Sequence, residues 1–239
     1  MPENVTLLEF CVYATFFASF AGMAAGSLFF FVERGAVPPH HRAVMTVSGV
    51  ILFVAALIYY YMQNIYWDSV NAGDVIYPIA YRYIDWIITT PLMLIKFPLL
   101  LGLGRRGRTF LIRLVSLDLL MIVSGFFGEL MDSDPLFHFG LFGIGIACWL
   151  GILYLLLTST SNLPDRFPDY VRKGVKAMVW FVLIGWSIYP LGYILPSIGL
   201  GEEARSLVYN VGDVINKVGL ALIVYAIVMK SQREQEASD

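Results

Sequence analysis

The sequence predicts an all-α membrane protein, a single domain built as a seven transmembrane helix bundle. Three observations carry that expectation. Of the 239 residues, 58% are hydrophobic and 14% charged, and the mean hydropathy of +0.71 lies well outside the mix of a soluble domain. Seven windows, each of roughly 20 or more mostly apolar residues, are long enough to cross the ~30 Å of bilayer hydrocarbon. None alternates with period two, so the spans read as helices and not as barrel strands.

The windows run about 6–32, 43–64, 77–101, 109–130, 136–159, 174–196 and 204–229, and the connections 33–42, 67–74, 102–108, 132–134, 162–173 and 199–203 are too short for a second domain. The first follows only a short acidic segment, without the basic region of a cleavable signal peptide, and is expected to stay in the mature protein. Its Glu9 reads as interfacial. The fourth carries Asp118, whose expected role is an interhelical hydrogen bond to Thr90, and Glu129, which at the outer end reads as solvated. Cys11 and Cys148 fall inside helices with neither metal-ligand spacing nor a disulfide framework. They read as packing residues, and no metal is expected. A net charge of −2 conceals faces of opposite sign and gives no reason to expect nucleic acid.

Lysines and arginines in short loops stay on the cytoplasmic side. Loops one, three and five, the adjoining helix ends and the tail hold Arg34, Arg42, Arg105, Arg106, Arg108, Arg113, Arg166, Arg172, Lys173, Lys176, Lys230 and Arg233. The opposite loops hold Asp68, Asp74, Asp132, Asp134, Glu202 and Glu203, with only Arg205 near them. The N-terminus is therefore expected outside and the C-terminus inside, in a multi-pass membrane protein.

Arg82, Lys96 and Lys217 remain, well inside spans. An ammonium at the bilayer centre costs at least about 3 kcal/mol, so each needs a reason. Lys217 lies four residues after Asp213, one turn along the seventh span. On the third span, Arg82, Asp85, Thr89 and Lys96 fall within roughly 60° of one another at ~100° per residue. Asp85 and Lys96 are separated by about 16 Å along the axis, half the hydrocarbon thickness, with the acid outward and the lysine inward. That layout suits a proton relay with a gate in its middle, and Lys217 can approach the depth of Asp85.

The run Arg82-Tyr83-x-Asp85-Trp86-x-x-Thr89-Thr90-Pro91 resembles the third helix of microbial rhodopsins. Trp186, Tyr189, Pro190 and Tyr193 are similar to the aromatic pattern of the sixth helix in that family, and Asp213-x-x-x-Lys217 to its counterion and retinal-linking lysine. Asp118, Met121 and Gly125 on the fourth span and Phe142, Gly145 and Trp149 on the fifth resemble retinal-pocket positions. The motifs occur together in the family's order over nearly all seven spans. The resemblance implies all-trans retinal in the core of the bundle, joined to Lys217 as a Schiff base. It also implies Asp85 as proton acceptor, with Asp213 and Arg82 as counterion partners and Trp86, Thr90 and Met93 in the pocket. Asp85 and Thr89 look like an outward proton pump rather than a sodium or chloride pump, and an apolar Met93 implies green absorption.

Lys96 departs from the carboxylate usual at the donor position and resembles the lysine-donor type of proteorhodopsin-like pump found in Exiguobacterium. Desolvation favours a neutral amine, which can take a proton from the cytoplasm and pass it on. The alternative has Lys96 snorkelling past Leu99 and Leu103 to the inner headgroups. Ile58 stands where proteorhodopsins place a histidine beside the acceptor, so Asp85 lacks that partner. Arg205 stands where haloarchaeal pumps have a releasing glutamate, which turns attention to Glu202 and Glu203. Phe142 replaces the glycine of antenna-binding relatives and argues against a carotenoid antenna. The expected partners are protons, a lipid bilayer and further copies in a homo-oligomer. A transducer-coupled sensory rhodopsin, or a seven-span transporter or receptor with an unmodified Lys217, are the other readings; neither the expected protein nor these is an enzyme.

Overall fold

The computed structural model describes residues 5–101, 103–161, 163 and 167–236, with backbone alone for 104–106 and 235–236. The side chains of Arg105 and Arg106 and the whole of Arg166, which contributed to the orientation expected above, lie outside the described residues. The described residues contain no strand.

Helix α1 spans Leu7–Glu33 and begins with a reciprocal cap: Thr6 N–H donates to Glu9 Oε2 at 2.8 Å, and Glu9 N–H to Thr6 Oγ1 at 3.2 Å. Such a capping box satisfies two of the orphan donors of a first turn. Helix α2, Arg42–Ala72, continues well beyond the expected window and ends at Gly73, whose φ of 77° is left-handed. The extra turns carry polar residues that hydropathy scores as loop, yet they pack. Tyr66 donates its hydroxyl to the Glu9 carbonyl at 3.4 Å, and the Tyr13 and Trp67 rings lie 4.3 Å apart. Helix α3 is Ile79–Leu100 and α4 is Gly104–Leu130. Helix α5, Pro135–Thr160, is capped by the Asp134 carboxylate, which accepts from Leu136 N–H at 3.0 Å.

The last two helices are interrupted. Helix α6 runs Asp169–Trp180, widens into a π-helical turn over Phe181–Gly185 and resumes at Ile188–Ile194. Helix α7 runs Gly201–Val214, widens over Ile215–Gly219 and continues as Leu220–Glu236. A wide turn loosens backbone carbonyls from the regular ladder. In α6 two of them accept side-chain donors from both neighbours: Val182 O from Trp149 Nε1 at 3.1 Å, and Gly185 O from Asn216 Nδ2 at 2.8 Å. Glycine is needed at 185 because a Cβ there would overlap the Asn216 side chain.

The helices contact one another in chain order, and α7 closes the ring against α1 and α2. All seven are long and apolar enough to cross a membrane. Burial is inverted relative to a soluble protein. Leu28, Leu57, Leu120, Tyr154, Ile184 and Leu191 face outward, while Arg82, Asp85, Lys96, Asp118, Asp213 and Lys217 are buried. Lipid accepts the apolar exterior, and the ionisable groups are kept in the interior of the bundle.

Candidate functional site

The site lies where α3 and α7 face each other, with α2 and α6 on either side. The spacing from Asp213 to Lys217 is one helical turn, which directs both side chains to the same place. The Lys217 amine donates to Asp85 Oδ2 and, at 3.2 Å, to Asp213 Oδ2. Both carboxylates are wholly buried. Their surroundings differ. Asp213 also accepts from the Tyr59 hydroxyl of α2 at 2.7 Å, the Tyr189 hydroxyl of α6 at 2.7 Å and Trp86 Nε1 of α3 at 3.1 Å. Asp85 has the lysine alone, and its Oδ1 is buried without a partner among the described residues. Thr89 does not make up the difference, because its hydroxyl donates to the Asp85 backbone carbonyl at 2.8 Å.

Arg82, one turn outward of Asp85, is 2% exposed and forms no ion pair among the described residues. Its guanidinium donates to the Tyr59 hydroxyl at 3.0 Å and to Asn210 Oδ1 at 2.6 Å. On the inward side of α3, Lys96 is fully buried and its amine has no hydrogen-bond partner among the described residues. It does not reach the surface as a snorkelling lysine would.

Beside the charged cluster lies an apolar cavity. Its walls are Tyr83, Trp86, Thr90, Met121, Ile122, Gly125, Phe142, Gly145, Ile146, Trp149, Trp186, Tyr189, Pro190, Tyr193 and Tyr209. Of the pocket residues expected from the sequence, Trp86, Thr90, Met121, Gly125, Phe142, Gly145, Trp149, Trp186, Tyr189, Pro190 and Tyr193 line it, whereas Met93, Asp118 and Lys217 are buried but are not among its walls. Asp118 accepts from the Thr90 hydroxyl at 2.9 Å, tying α4 to α3 at the cavity wall.

A family model described as "Bacteriorhodopsin-like protein" matches residues 12–231. The chain belongs to this family. It is 33% identical over 225 residues to the blue-light absorbing proteorhodopsin of Gamma-proteobacterium Hot 75m4, covering 92% of this chain and 86% of that protein. Among solved structures, Exiguobacterium sibiricum rhodopsin is 39% identical with a TM-score of 0.83, covering 92% of this rhodopsin and 96% of that chain. Xanthorhodopsin, titled a light-driven ion pump with dual chromophore, is 27% identical with a TM-score of 0.85 and covers 96% of each chain.

Rhodopsins of this family carry retinal, and the residues present here fit such a group. The cavity has the mainly hydrophobic and aromatic walls, with a few polar groups, usual for a small-molecule site. Two of its wall residues, Trp86 and Tyr189, also hold the Asp213 carboxylate that pairs with Lys217. An amine is thus set beside an apolar slot, with two carboxylates to balance a cation attached there.

One expectation is corrected. Glu129 is not solvated: it accepts from Arg205 Nη1 at 2.8 Å, with side-chain exposures of 8% and 9% for the pair, and Arg205 also pairs with Glu202. Asp118, Ile122, Gly125 and Glu129 follow a 4-3-4 spacing along one stripe of α4, so the face that lines the cavity also turns Glu129 inward. Tyr59, Asn210, Asn216 and Tyr209 belong to the site but were absent from the sequence reading. Tyr209, Asp213 and Lys217 recur at intervals of four, and that recurrence was available as a signal. Tyr59 gave a weaker one, as a hydroxyl in mid-span that needs a partner.

Proposed function

We propose that this rhodopsin is a light-driven outward proton pump with Lys217 as the attachment site of all-trans retinal, Asp85 as proton acceptor and Lys96 as cytoplasmic donor. Attached at Lys217 as a protonated imine, retinal supplies light absorption and the isomerisation that changes the position of the positive charge. Two titratable groups on one face of α3, Asp85 and Lys96, each with unfilled hydrogen-bonding capacity, are the observation that carries the reading.

Asp213 accepts three side-chain donors besides Lys217, and protonating it would disrupt that set. Asp85 offers a free Oδ1, so a proton arriving from the lysine side is best held there. Asp213 and Arg82 remain as the charge pair that compensates the site. A neutral Lys96 can accept a proton from the cytoplasmic side and deliver it inward, which an arginine could not do. On this reading the N-terminus is outside, so protons leave on the side of Glu129, Glu202 and Arg205. The protein is a multi-pass component of a prokaryotic plasma membrane and associates with copies of itself. It transports and does not turn over a substrate.

Two finer points follow. Green absorption rests on the resemblance at Met93, an apolar residue that is buried outside the cavity walls, and a maximum in the blue would contradict it. Phe142 stacks on Tyr193 with ring centroids 4.6 Å apart and planes 17° from parallel. This filled flank supports a rhodopsin without a carotenoid antenna.

The test is illumination of cells carrying the protein with retinal. External acidification that a protonophore abolishes is the expected result. Pigment formation without acidification would favour the sensory reading, and absence of pigment would overturn the retinal assignment.

A further inference from the structure

Arg82 is a buried cation held by neutral groups. Inward, it meets Asp213 only through the Tyr59 hydroxyl, which accepts from Arg82 Nη1 at 3.0 Å and donates to Asp213 Oδ2 at 2.7 Å. Outward, Asn210 Oδ1 accepts from Nη2 at 2.6 Å. The amide can face only one way, because its Nδ2 donates to Thr15 Oγ1 of α1 at 2.9 Å. The Asn210 backbone is tied to the same helix, where its carbonyl accepts from Ser19 Oγ at 3.1 Å. Phe16, Tyr59 and Tyr209 surround the guanidinium, with ring centroids 5.0, 5.6 and 5.5 Å from its carbon.

We propose that Asn210, oriented by Thr15, is a positioning residue that holds the Arg82 charge on the outward side of the Asp85–Asp213 pair and thereby sets how readily Asp85 takes a proton. Asn210 is one turn outward of Asp213 on α7, so its pull on Arg82 opposes the attraction of the two carboxylates. Being neutral, it leaves the guanidinium charge undiminished. The outer carboxylates Glu129 and Glu202 are engaged by Arg205 and do not compete. The ionisable groups facing the carboxylate pair are Lys217 from α7, Tyr59 from α2, Tyr189 from α6 and Arg82 from α3. Helix α1 contributes only Phe16, Thr15 and Ser19 to this region, none of them charged. Asn210 is therefore the outward hold on a charge that otherwise answers to Asp213.

This inference rests on Asp85 being the acceptor, and it gives two changes opposite signs. Asn210→Leu keeps the volume but removes the outward acceptor. The guanidinium is then drawn toward Asp213 and Asp85, where it favours their ionised forms. Asn210→Asp strengthens the outward hold and adds a negative charge that offsets Arg82. Thr15→Val leaves Asn210 in place with its amide no longer oriented, a weaker version of the leucine change.

The experiment is a spectroscopic acid titration of the purified pigments, reading the pH midpoint of the visible colour transition. Asn210→Leu is expected to lower the midpoint by about one pH unit and Asn210→Asp to raise it by a similar amount. Thr15→Val should shift it in the leucine direction by less. Asp85→Asn should abolish the transition. If Asp85→Asn retains it, the acceptor assignment fails. If Asp85→Asn abolishes it and the two Asn210 changes move the midpoint the same way or not at all, the positioning role of Asn210 is overturned. Should either Asn210 variant form no pigment, Thr15→Val decides: an unmoved midpoint overturns the proposal.

Discussion

Lys96→Met separates a residue kept for function from one kept for packing. Methionine matches lysine in length as far as the terminal amine and is apolar, so it can fill the volume occupied by a side chain that is 0% exposed. What it removes is a buried amine with no hydrogen-bond partner among the described residues. An unsatisfied buried polar group costs about 1–3 kcal/mol, so the substitution should stabilise the protein by about that amount. Function should move the other way. A positioned proton donor contributes roughly 10²–10⁴-fold in rate, and recovery of the protonated pigment after a flash should slow by at least about 10²-fold. Lys96→Arg should be comparably slow, since a guanidinium keeps its charge but cannot release its proton. Thermal bleaching in detergent reads the first effect and flash photolysis with a pH-sensitive dye the second. A methionine variant that cycles at the parent rate across pH, or that bleaches more readily than the parent, would refute the reasoning.

Other substitutions probe the surrounding contacts by the same bleaching measurement. Glu129→Leu removes one of the two carboxylates on Arg205 and should destabilise near the lower end of the ~3–5 kcal/mol typical when a buried pair is broken, because Glu202 remains. Asn216→Leu leaves the Gly185 carbonyl in the wide turn of α6 without its side-chain donor and should cost about 1–2 kcal/mol, with a shifted absorption band because Lys217 is the next residue. Gly192→Ala drives a methyl group into the Tyr209 ring and should cost about 1–3 kcal/mol, whereas Gly143→Ala, where a Cβ meets nothing within 4 Å, should be close to neutral.

The parts of this protein that could be read from its sequence are those for which the membrane makes error expensive. Charged residues inside apolar spans are few because each is costly, so Arg82, Asp85, Lys96, Asp213 and Lys217 stood out, and helical periodicity placed three of them on one face. Hydropathy located the apolar slab but not the ends of helices. Helix α2 continues through Tyr66 and Trp67 because those side chains find partners on α1. Met93, expected in the pocket, is buried but is not among the cavity walls. The wide turn of α6 has no signature in that helix alone, since the donors that satisfy its loosened carbonyls come from Trp149 on α5 and Asn216 on α7. The same blindness covers the neutral residues that distinguish the two carboxylates. Tyr59 and Tyr189 carry no charge and sit in ordinary apolar runs, yet they saturate Asp213 and leave Asp85 with one free oxygen. The location of the charge was legible from its cost, whereas the difference between the two acids comes from uncharged hydroxyls brought from α2 and α6, and the packing of the bundle reveals it.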